Sequence, residues 1–428
     1  MSANNRAKAN VMDRSSKLLD SDPSLRGELL SRAAMQVAAK MRDRFRPWTY
    51  DMPLAIRPET HERMQRIQAL YLKCIRHMAA HYLDHYRELM PVPDRVAEIL
   101  ALYRHRPYRP GSYRTDFVIG KDNHIRLIET TCRFALNGFF QSSIYAQLAR
   151  EKLRAHPGIR IVDVHTPFFD HLMSYFGSFE RVCVLLGWNT ARNESKYFMP
   201  IFEAAGVPVL RIPATDIPAH VAEFKDAAVM GELSHEELCA LPPETVEAIV
   251  ESNLLNDLRT VFLVHDKRFF ALLQRDEFMH NALTPEERTE FRPYVAPTFT
   301  RHLNPELWSE APKAKDRWIL KPFNNGMSID VFAGPLTSST EWEALFDSGR
   351  ADSMVLQEYV PQRKFRGTVG KTPREDYAAG TLLFFEDSFY GTGLFRASSH
   401  PVSNQGDDRK IAPVVTPDFE LFKADHVL

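Results

Sequence analysis

Between Tyr113 and Thr130 apolar and polar residues alternate in two short runs, and on either side of them the spacing changes to that of helices and buried strands. Arg114, Asp116 and Val118 interleave with Thr115, Phe117 and Ile119, and β-branched and apolar residues resume from Ile125 after a break at Gly120 to His124. Period-two spacing about Gly-Lys-Asp-Asn, residues that tolerate a positive φ, predicts a β-hairpin. Upstream, from Pro23 to Ala101, the spacing is helical. Met64 to Met90 carries apolar residues at three- and four-residue spacing, including Ile67, Leu70, Leu72, Ile75, Met78, Tyr82 and Tyr86. The first twenty or so residues are polar and are expected to be frayed or loosely helical.

Downstream, Gln141 to Ala155 reads as a helix, and Arg160 to Val164 starts another apolar stretch. Arg181 to Trp188 is an unbroken apolar run closed by Gly187, as in a buried parallel strand. A helix over Asn193 to Gly206 and a strand over Val207 to Pro213 complete a β-α-β alternation, which predicts an open α/β layer. Without GxGxxG at its strand-to-helix turn, that layer is not expected to hold a dinucleotide. Asp216 to Pro243 reads as polar helix. Val246 to Gln274 includes an Asn-Asp break and the basic cluster His265-Asp266-Lys267-Arg268, and Phe291 to Leu307, with three prolines, reads as a crossing loop. Strands at Trp318 to Pro335 and Met354 to Pro361, and a hairpin over Ala378 to Ser398 turning at Glu386-Asp387-Ser388, are expected to form one small antiparallel sheet.

A chain of 428 residues is too long for one compact core. We expect a helical N-terminal region over residues 1–110, a hairpin with an α/β region over 111–310, and a small antiparallel lobe over 311–428. The apolar fraction is 44%, the charged fraction 25% and the net charge −1, so neither nucleic acid nor a membrane surface is expected as partner. Cys74, Cys132, Cys183 and Cys239 lie far apart, which suggests neither zinc nor disulfides and fits a reducing cytoplasm. No signal peptide is read at the N-terminus, and no run of eighteen or so apolar residues occurs.

The hairpin concentrates the chemistry. If Asp116 and Glu129 leave their strands on one side, they and Arg114 supply the oxygen ligands that Mg²⁺ takes beside phosphate, with a guanidinium at hand. The alternative is a solvated face with an ordinary Asp–Arg surface pair. His77, His81 and His85, four residues apart, are either a metal face or a solvated helix face, and no acidic partner at ligand spacing accompanies them. Lys321 ends an apolar strand before a loop with Asn325, Gly326 and Ser328, whose amides can cradle phosphate; a lysine at an edge strand is the plainer reading. Gln357, Glu358, Tyr359 and Val360 end a strand where an adenine edge can be read, and Arg396 follows two glycines. Together with Lys267 these residues form the inventory for Mg-ATP and a transferred phosphoryl group.

Their order resembles the ATP-grasp superfamily in its circularly permuted form, above all the synthetase domain of glutathionylspermidine synthase and related preATP-grasp ligases. Arg114-Thr115-Asp116-Phe117 is similar to the family's Arg-x-Asp-Phe strand, and Glu129 to the glutamate of its second strand. Asp266-Lys267-Arg268, Lys321-Pro322-Phe323-Asn324-Asn325-Gly326, Gln357-Glu358-Tyr359-Val360 and Gly393-Leu394-Phe395-Arg396 resemble its later motifs, the second one residue shorter here. The family asparagine two residues after the glutamate is Thr131 in this chain. Asn137 replaces it as third metal ligand if the backbone folds back, or else serves the turn before Gly138. Cys132-Arg133-Phe134-Ala135 stands where glutathionylspermidine synthase has a peptide-holding stretch, so glutathione and spermidine are not carried over.

The resemblance implies an α/β protein with α+β lobes, a circularly permuted ATP-grasp with a preATP-grasp layer and a helical N-terminal region. It implies a cytoplasmic ATP- and Mg²⁺-dependent carboxylate–amine ligase that forms an amide through an acyl-phosphate. Asp116, Glu129 and Asn137 would hold metal, and Lys267 and Lys321 would neutralise phosphate beside Asn325, Gly326, Ser328 and Gln357 to Val360. Arg114 and Arg396 would act on the transferred group. A small-molecule or peptide carboxylate and an amine are the implied partners, and the N-terminal helices would complete the pocket or a homodimer contact. An ATP-dependent phosphotransferase and a nucleotide-binding protein without ligase activity remain alternatives.

Overall fold

The computed structural model describes residues 23–162, 166–188, 190 and 193–428. The polar first twenty residues and part of the stretch Arg160 to Val164 lie outside them.

Among the described residues seventeen strands, numbered in chain order, form four sheets. The expected hairpin is β2 (Ser112–Ile119) and β3 (Ile125–Thr131), after β1 (Leu54–Ile56). Its turn has Asn123 at φ 62° and the Asp122 carboxylate accepting from the His124 amide at 3.0 Å. The parallel layer follows: β4 (Arg181–Leu186), β5 (Val209–Pro213), β6 (Ala227–Glu232) and β7 (Asn253–Leu254), in the order β5-β4-β6-β7. β6 corrects the expectation of polar helix from Asp216 to Pro243. Ala227 to Met230 are fully buried against β4, and their short apolar run is flanked by the helical turns Ala214–Phe224 and His235–Ala240 that set the apparent period.

β8 (Thr298–Phe299), β9 (Trp318–Pro322), β10 (Phe332–Ala333) and β11 (Met354–Glu358) make an antiparallel sheet in the order β10-β9-β11-β8. The remaining strands are β12 (Lys364–Val369), β13 (Thr372–Phe385), β14 (Ser388–Thr392), β15 (Phe395–Ser398), β16 (Arg409–Ile411) and β17 (Pro413–Val415). The hairpin β13–β14 turns at Glu386 and Asp387 as expected, but it does not join the β9–β11 sheet. It pairs with the early hairpin instead, giving a seven-stranded sheet, β16-β15-β13-β2-β3 with β12 and β14 also on β13. The strands expected in one sheet are thus divided between two, because β13 is long enough to pair with β12 and β2 on one flank and β14 and β15 on the other.

The helical stretch shares a core with that sheet. The helix Pro58–His81 buries Ile67, Leu70, Tyr71, Ile75 and Met78 among residues that include Phe117 and Leu127. Gln68 donates to Thr115 Oγ1 at 2.8 Å, and the hydroxyls of Tyr71 and Thr130 are 2.7 Å apart. The helix Pro23–Phe45 packs instead on Phe139–Lys152, Thr166–Phe176 and Ser195–Ala204, over the parallel layer. His77 is engaged with Tyr86 Oη at 2.6 Å, and among the described residues no group of three or more His, Cys, Asp or Glu side chains is arranged to hold a metal.

Candidate active site

The site residues singled out from the sequence line one cavity of about 1140 Å³, except Lys267, which is buried behind Glu129. Its floor is one face of the seven-stranded sheet, and the pairing register explains which side chains stand there. Lys410, Arg396, Ala379 and Val118 are successive partners in one row; Thr381, Asp116 and Glu129 form another. All seven line the cavity, whereas Phe117, Leu127 and Phe395 point to the core behind it. Ala379 and Thr381 keep the centre of the floor low.

A β-bulge makes the carboxylate pair. Phe117 pairs with Leu127, so unbroken alternation would place Ile128 opposite Asp116 and send Glu129 to the core face with Leu127. The register instead shifts between Asp116 and Phe117, Asp116 faces Glu129, and Ile128 is the extra residue. The Ile128 carbonyl accepts from Gln357 Nε2 at 3.1 Å on the neighbouring sheet. Asp116 is gripped by Arg114 through Nε to Oδ1 at 2.7 Å and Nη2 to Oδ2 at 3.1 Å, and Arg114 also reaches Thr131 Oγ1 at 3.3 Å. Each oxygen so held keeps a further lone pair for another partner. The pair is buried, so the surface-pair reading is corrected.

Asn137 also lines the cavity, brought back by a reversal with Leu136 at φ 59° and Gly138 at φ 98°. A Cβ on Gly138 would lie 2.9 Å from Arg114 Cδ, so the chain can pass this close only without a side chain. The turn that returns Asn137 to the cavity is therefore also what brings the chain against Arg114, the partner of Asp116.

The opposite wall is the β9–β11 sheet. Lys321, 5% exposed, donates to Gln357 Oε1 at 2.8 Å, and Gln357 Nε2 donates on to Thr298 Oγ1 at 2.8 Å as well as to Ile128. Gln357, expected at the nucleotide, is thus the residue that fixes Lys321 and ties the two sheets. Glu358, Tyr359 and Val360 line the cavity, although the amides of Glu358 and Tyr359 are already bonded to the carbonyls of Pro297 and Arg317. Asn325, Gly326 and Ser328 line it too, on a loop where Met327, Ser328 and Asp330 rather than Gly326 have positive φ. Lys267 Nζ donates to the Asn325 carbonyl at 2.7 Å and lies 3.5 Å from Glu129 Oε2, so it secures the loop from behind the acid. Gln405 Nε2 holds the same loop through the Val331 carbonyl at 2.8 Å.

Cations outnumber acids around this point. Burial works against ionisation of Glu129, yet Lys267, Lys321, Arg114 and Arg396 hold its carboxyl below the usual range. Burial pushes the Lys321 ammonium down to about 8, with Glu129 opposing and Lys267 adding to the shift. Burial and then Arg114 lower the Arg396 guanidinium, opposed by Asp116, Asp408 and Glu129. Four cations crowd two carboxylates in a poorly hydrated space, an arrangement that an entering polyanion relaxes. Two carboxylates are the hard oxygen donors that Mg²⁺ accepts alongside phosphate, so the donor set fits that ion.

Several cavity residues were given no role at the site by the sequence. Arg133, Asn193, Ser234, Glu236, Glu237 and His265 line the end next to the parallel layer, where Glu232 closes β6. Ligands of open parallel sheets bind outside the carboxyl ends of the strands. Neighbouring sequence carried no signal for this, since residues 133, 193, 234 and 265 come together only through the fold.

The fold is mixed α/β and glutathione synthetase-like. Residues 68–263 match the family model of the AnkG N-terminal domain, a span that covers the hairpin and the parallel layer and stops before Lys267. No curated protein matches the chain. Among solved structures, it is similar to a glutathione synthetase-like effector, GSS30, from Globodera pallida in apoform, with a TM-score of 0.54 and 13% identity over 93% of this chain and 98% of that one. At that identity the likeness concerns the fold. Among the described residues no helix is long and apolar enough to cross a membrane.

Proposed function

We propose that the chain is an ATP-dependent carboxylate–amine ligase of the circularly permuted ATP-grasp kind, acting through an acyl-phosphate. The observation that carries this is the gathering of Arg114, Lys321 and Arg396 about Asp116 and Glu129 in one cavity, with Lys267 behind Glu129. The glutathione synthetase-like fold supports it. Lys321 and Arg396 would take phosphate oxygens, the loop with Asn325, Gly326 and Ser328 would cover them, and the wall at Glu358 to Val360 would take the base. Asp116, Glu129 and Asn137 would hold Mg²⁺, which when bound draws charge from the phosphates.

In the first step a substrate carboxylate oxygen bonds to the γ-phosphorus while the bond to the β-phosphate oxygen breaks, and ADP leaves. In the second an amine nitrogen bonds to the acyl carbon, the bond to phosphate breaks, and phosphate and a proton depart. Arg396 and Arg114 act by position and charge, and the enclosing loop keeps water from the acyl-phosphate.

The Arg114 fork on both oxygens of Asp116 favours a second reading, a nucleotide-binding protein without ligase turnover. Incubation with ATP, Mg²⁺, hydroxylamine and a broad carboxylate panel separates the two. Hydroxamate with equivalent ADP is the expected result; nucleotide binding with no hydroxamate across the panel would leave the second reading standing. Phosphoryl transfer to a hydroxyl would instead identify a phosphotransferase.

A further inference from the structure

The chain contains two Asn-Gly pairs, Asn137-Gly138 and Asn325-Gly326, and both asparagines line the cavity. In such a pair the glycine nitrogen can attack the side-chain carbonyl of the asparagine before it, because glycine sets no Cβ in the way of the succinimide ring that forms. Attack requires the nitrogen to give up its proton and the side-chain amide to be unconstrained. The two pairs differ on both counts. At Asn137 the nitrogen is engaged: the Gly138 amide is held by the buried Glu194 carboxyl, which also accepts from the Phe140 amide at 2.8 Å. Gly138 also opens the helix Phe139–Lys152, which fixes its backbone.

At Asn325 neither group is held. The residue is exposed, and among the described residues neither its side-chain amide nor the Gly326 N–H has a hydrogen-bond partner. A Cβ on Gly326 would meet nothing within 4 Å, so the loop leaves room for the ring. The Asn325 carbonyl oxygen, by contrast, accepts from Lys267 Nζ at 2.7 Å. That oxygen belongs to the same peptide group as the Gly326 nitrogen and carries much of the negative charge once the nitrogen loses its proton. An ammonium bonded there favours the charged form, so Lys267 makes the attacking N–H more acidic.

We propose that Asn325 is a modification site at which the chain deamidates itself and places a carboxylate on the cavity loop. The Gly326 nitrogen, its proton passed to hydroxide, bonds to Asn325 Cγ. The Cγ–Nδ2 bond breaks, and the nitrogen takes a proton from water and leaves as ammonia. Water then opens the succinimide at either carbonyl, giving aspartate or isoaspartate, with no oxidant or cofactor involved. The modification stands apart from the ligase reading, on which only its consequence rests: a negative charge on the loop that would cover the phosphates opposes nucleotide binding.

The test holds the full chain, folded, in mildly alkaline buffer beside a free peptide spanning residues 321–330. Samples are digested at intervals for mass spectrometry and an isoaspartate assay, and their Mg-ADP affinity is measured by calorimetry. The fragment with Asn325 should exchange NH2 for OH while the fragment with Asn137 stays intact. Mg-ADP affinity should fall by about tenfold as conversion proceeds. G326A, whose added methyl enters open space, should stop both the conversion and the drift in affinity. Asn325 intact when the free peptide has converted fully, or conversion of Asn137 alongside it, overturns the proposal. Conversion at Asn325 with Mg-ADP affinity unchanged, or with no Mg-ADP binding at all, leaves the modification standing and removes the loop from the phosphates.

Discussion

Asp116 stands directly across from Glu129, although their strands would not pair these residues without the extra residue Ile128. Asp116→Asn and Glu129→Gln should therefore each lower Mg²⁺-dependent ADP formation by about a hundredfold or more; Glu129→Gln should leave the melting temperature little changed, whereas Asp116→Asn, which takes the anion from the buried Arg114, should also lower it. Deleting Ile128 should abolish turnover as well, by turning Glu129 toward Leu127, and should also destabilise the protein. Full activity in the deletion variant would remove the bulge from the account.

Lys321 faces the cavity with its pKa lowered to about 8 by burial. An anion favours the protonated ammonium, so nucleotide affinity should fall as pH rises through about 8, and binding there should take up a proton. Calorimetry in two buffers of different ionisation heat measures that uptake. Lys321→Ala should weaken binding by roughly ten- to a hundredfold, and Lys321→Arg should flatten the pH profile. An affinity indifferent to pH between about 7 and 9 would count against Lys321 as a phosphate ligand.

Behind the site, burial raises Glu232 to about 8 and Glu194 to about 7, with Asn193 Nδ2 2.5 Å from Glu232. Between the unfolded value of 4.5 and about 8 the native protein keeps a proton that the unfolded chain gives up, so this contribution to stability is present at low pH and lost as pH rises. Glu232→Gln should raise the melting temperature by a few degrees near pH 9 and hardly alter it near pH 4. Identical melting curves against pH for both proteins would show that folding does not raise the Glu232 pKa.

Asp376 is 1% exposed and receives Arg409 Nε at 2.6 Å, Arg409 Nη2 at 2.5 Å and Tyr50 Oη at 2.7 Å. Removing the acid leaves Arg409 with Asp407 alone and the buried Tyr50 hydroxyl without its acceptor, and Asp376→Ala should cost about 3 kcal/mol in denaturant unfolding. Nucleotide affinity in the folded fraction should be unaffected, since none of these three residues lines the cavity.

The hairpin, the β4–β5 alternation and Lys321 were legible because local spacing carries them. The bulge was not recognised, although Leu127 and Glu129 have the same parity and opposite character, a contradiction that only an inserted residue resolves. Gln357 was read as a nucleotide contact from its place at a strand end and its likeness to a family hinge motif; its bonds to Lys321 and Ile128 depend on a sheet-to-sheet distance that no local pattern encodes. Asn256 had only marked a break, yet it accepts from the Ser112 amide at 2.7 Å and donates to the carbonyls of Ser112 and Cys132 at 2.9 and 2.8 Å, fastening both strands of the hairpin. Side chains that act across long separations are silent in a one-dimensional reading.

β2 gains its second neighbour only when β13 arrives, most of the sequence later. During synthesis the acidic hairpin therefore leaves the ribosome long before the strand that completes its sheet, and waits with one edge uncovered. The nascent protein has to keep that edge from pairing with other chains until its last fifth has been translated.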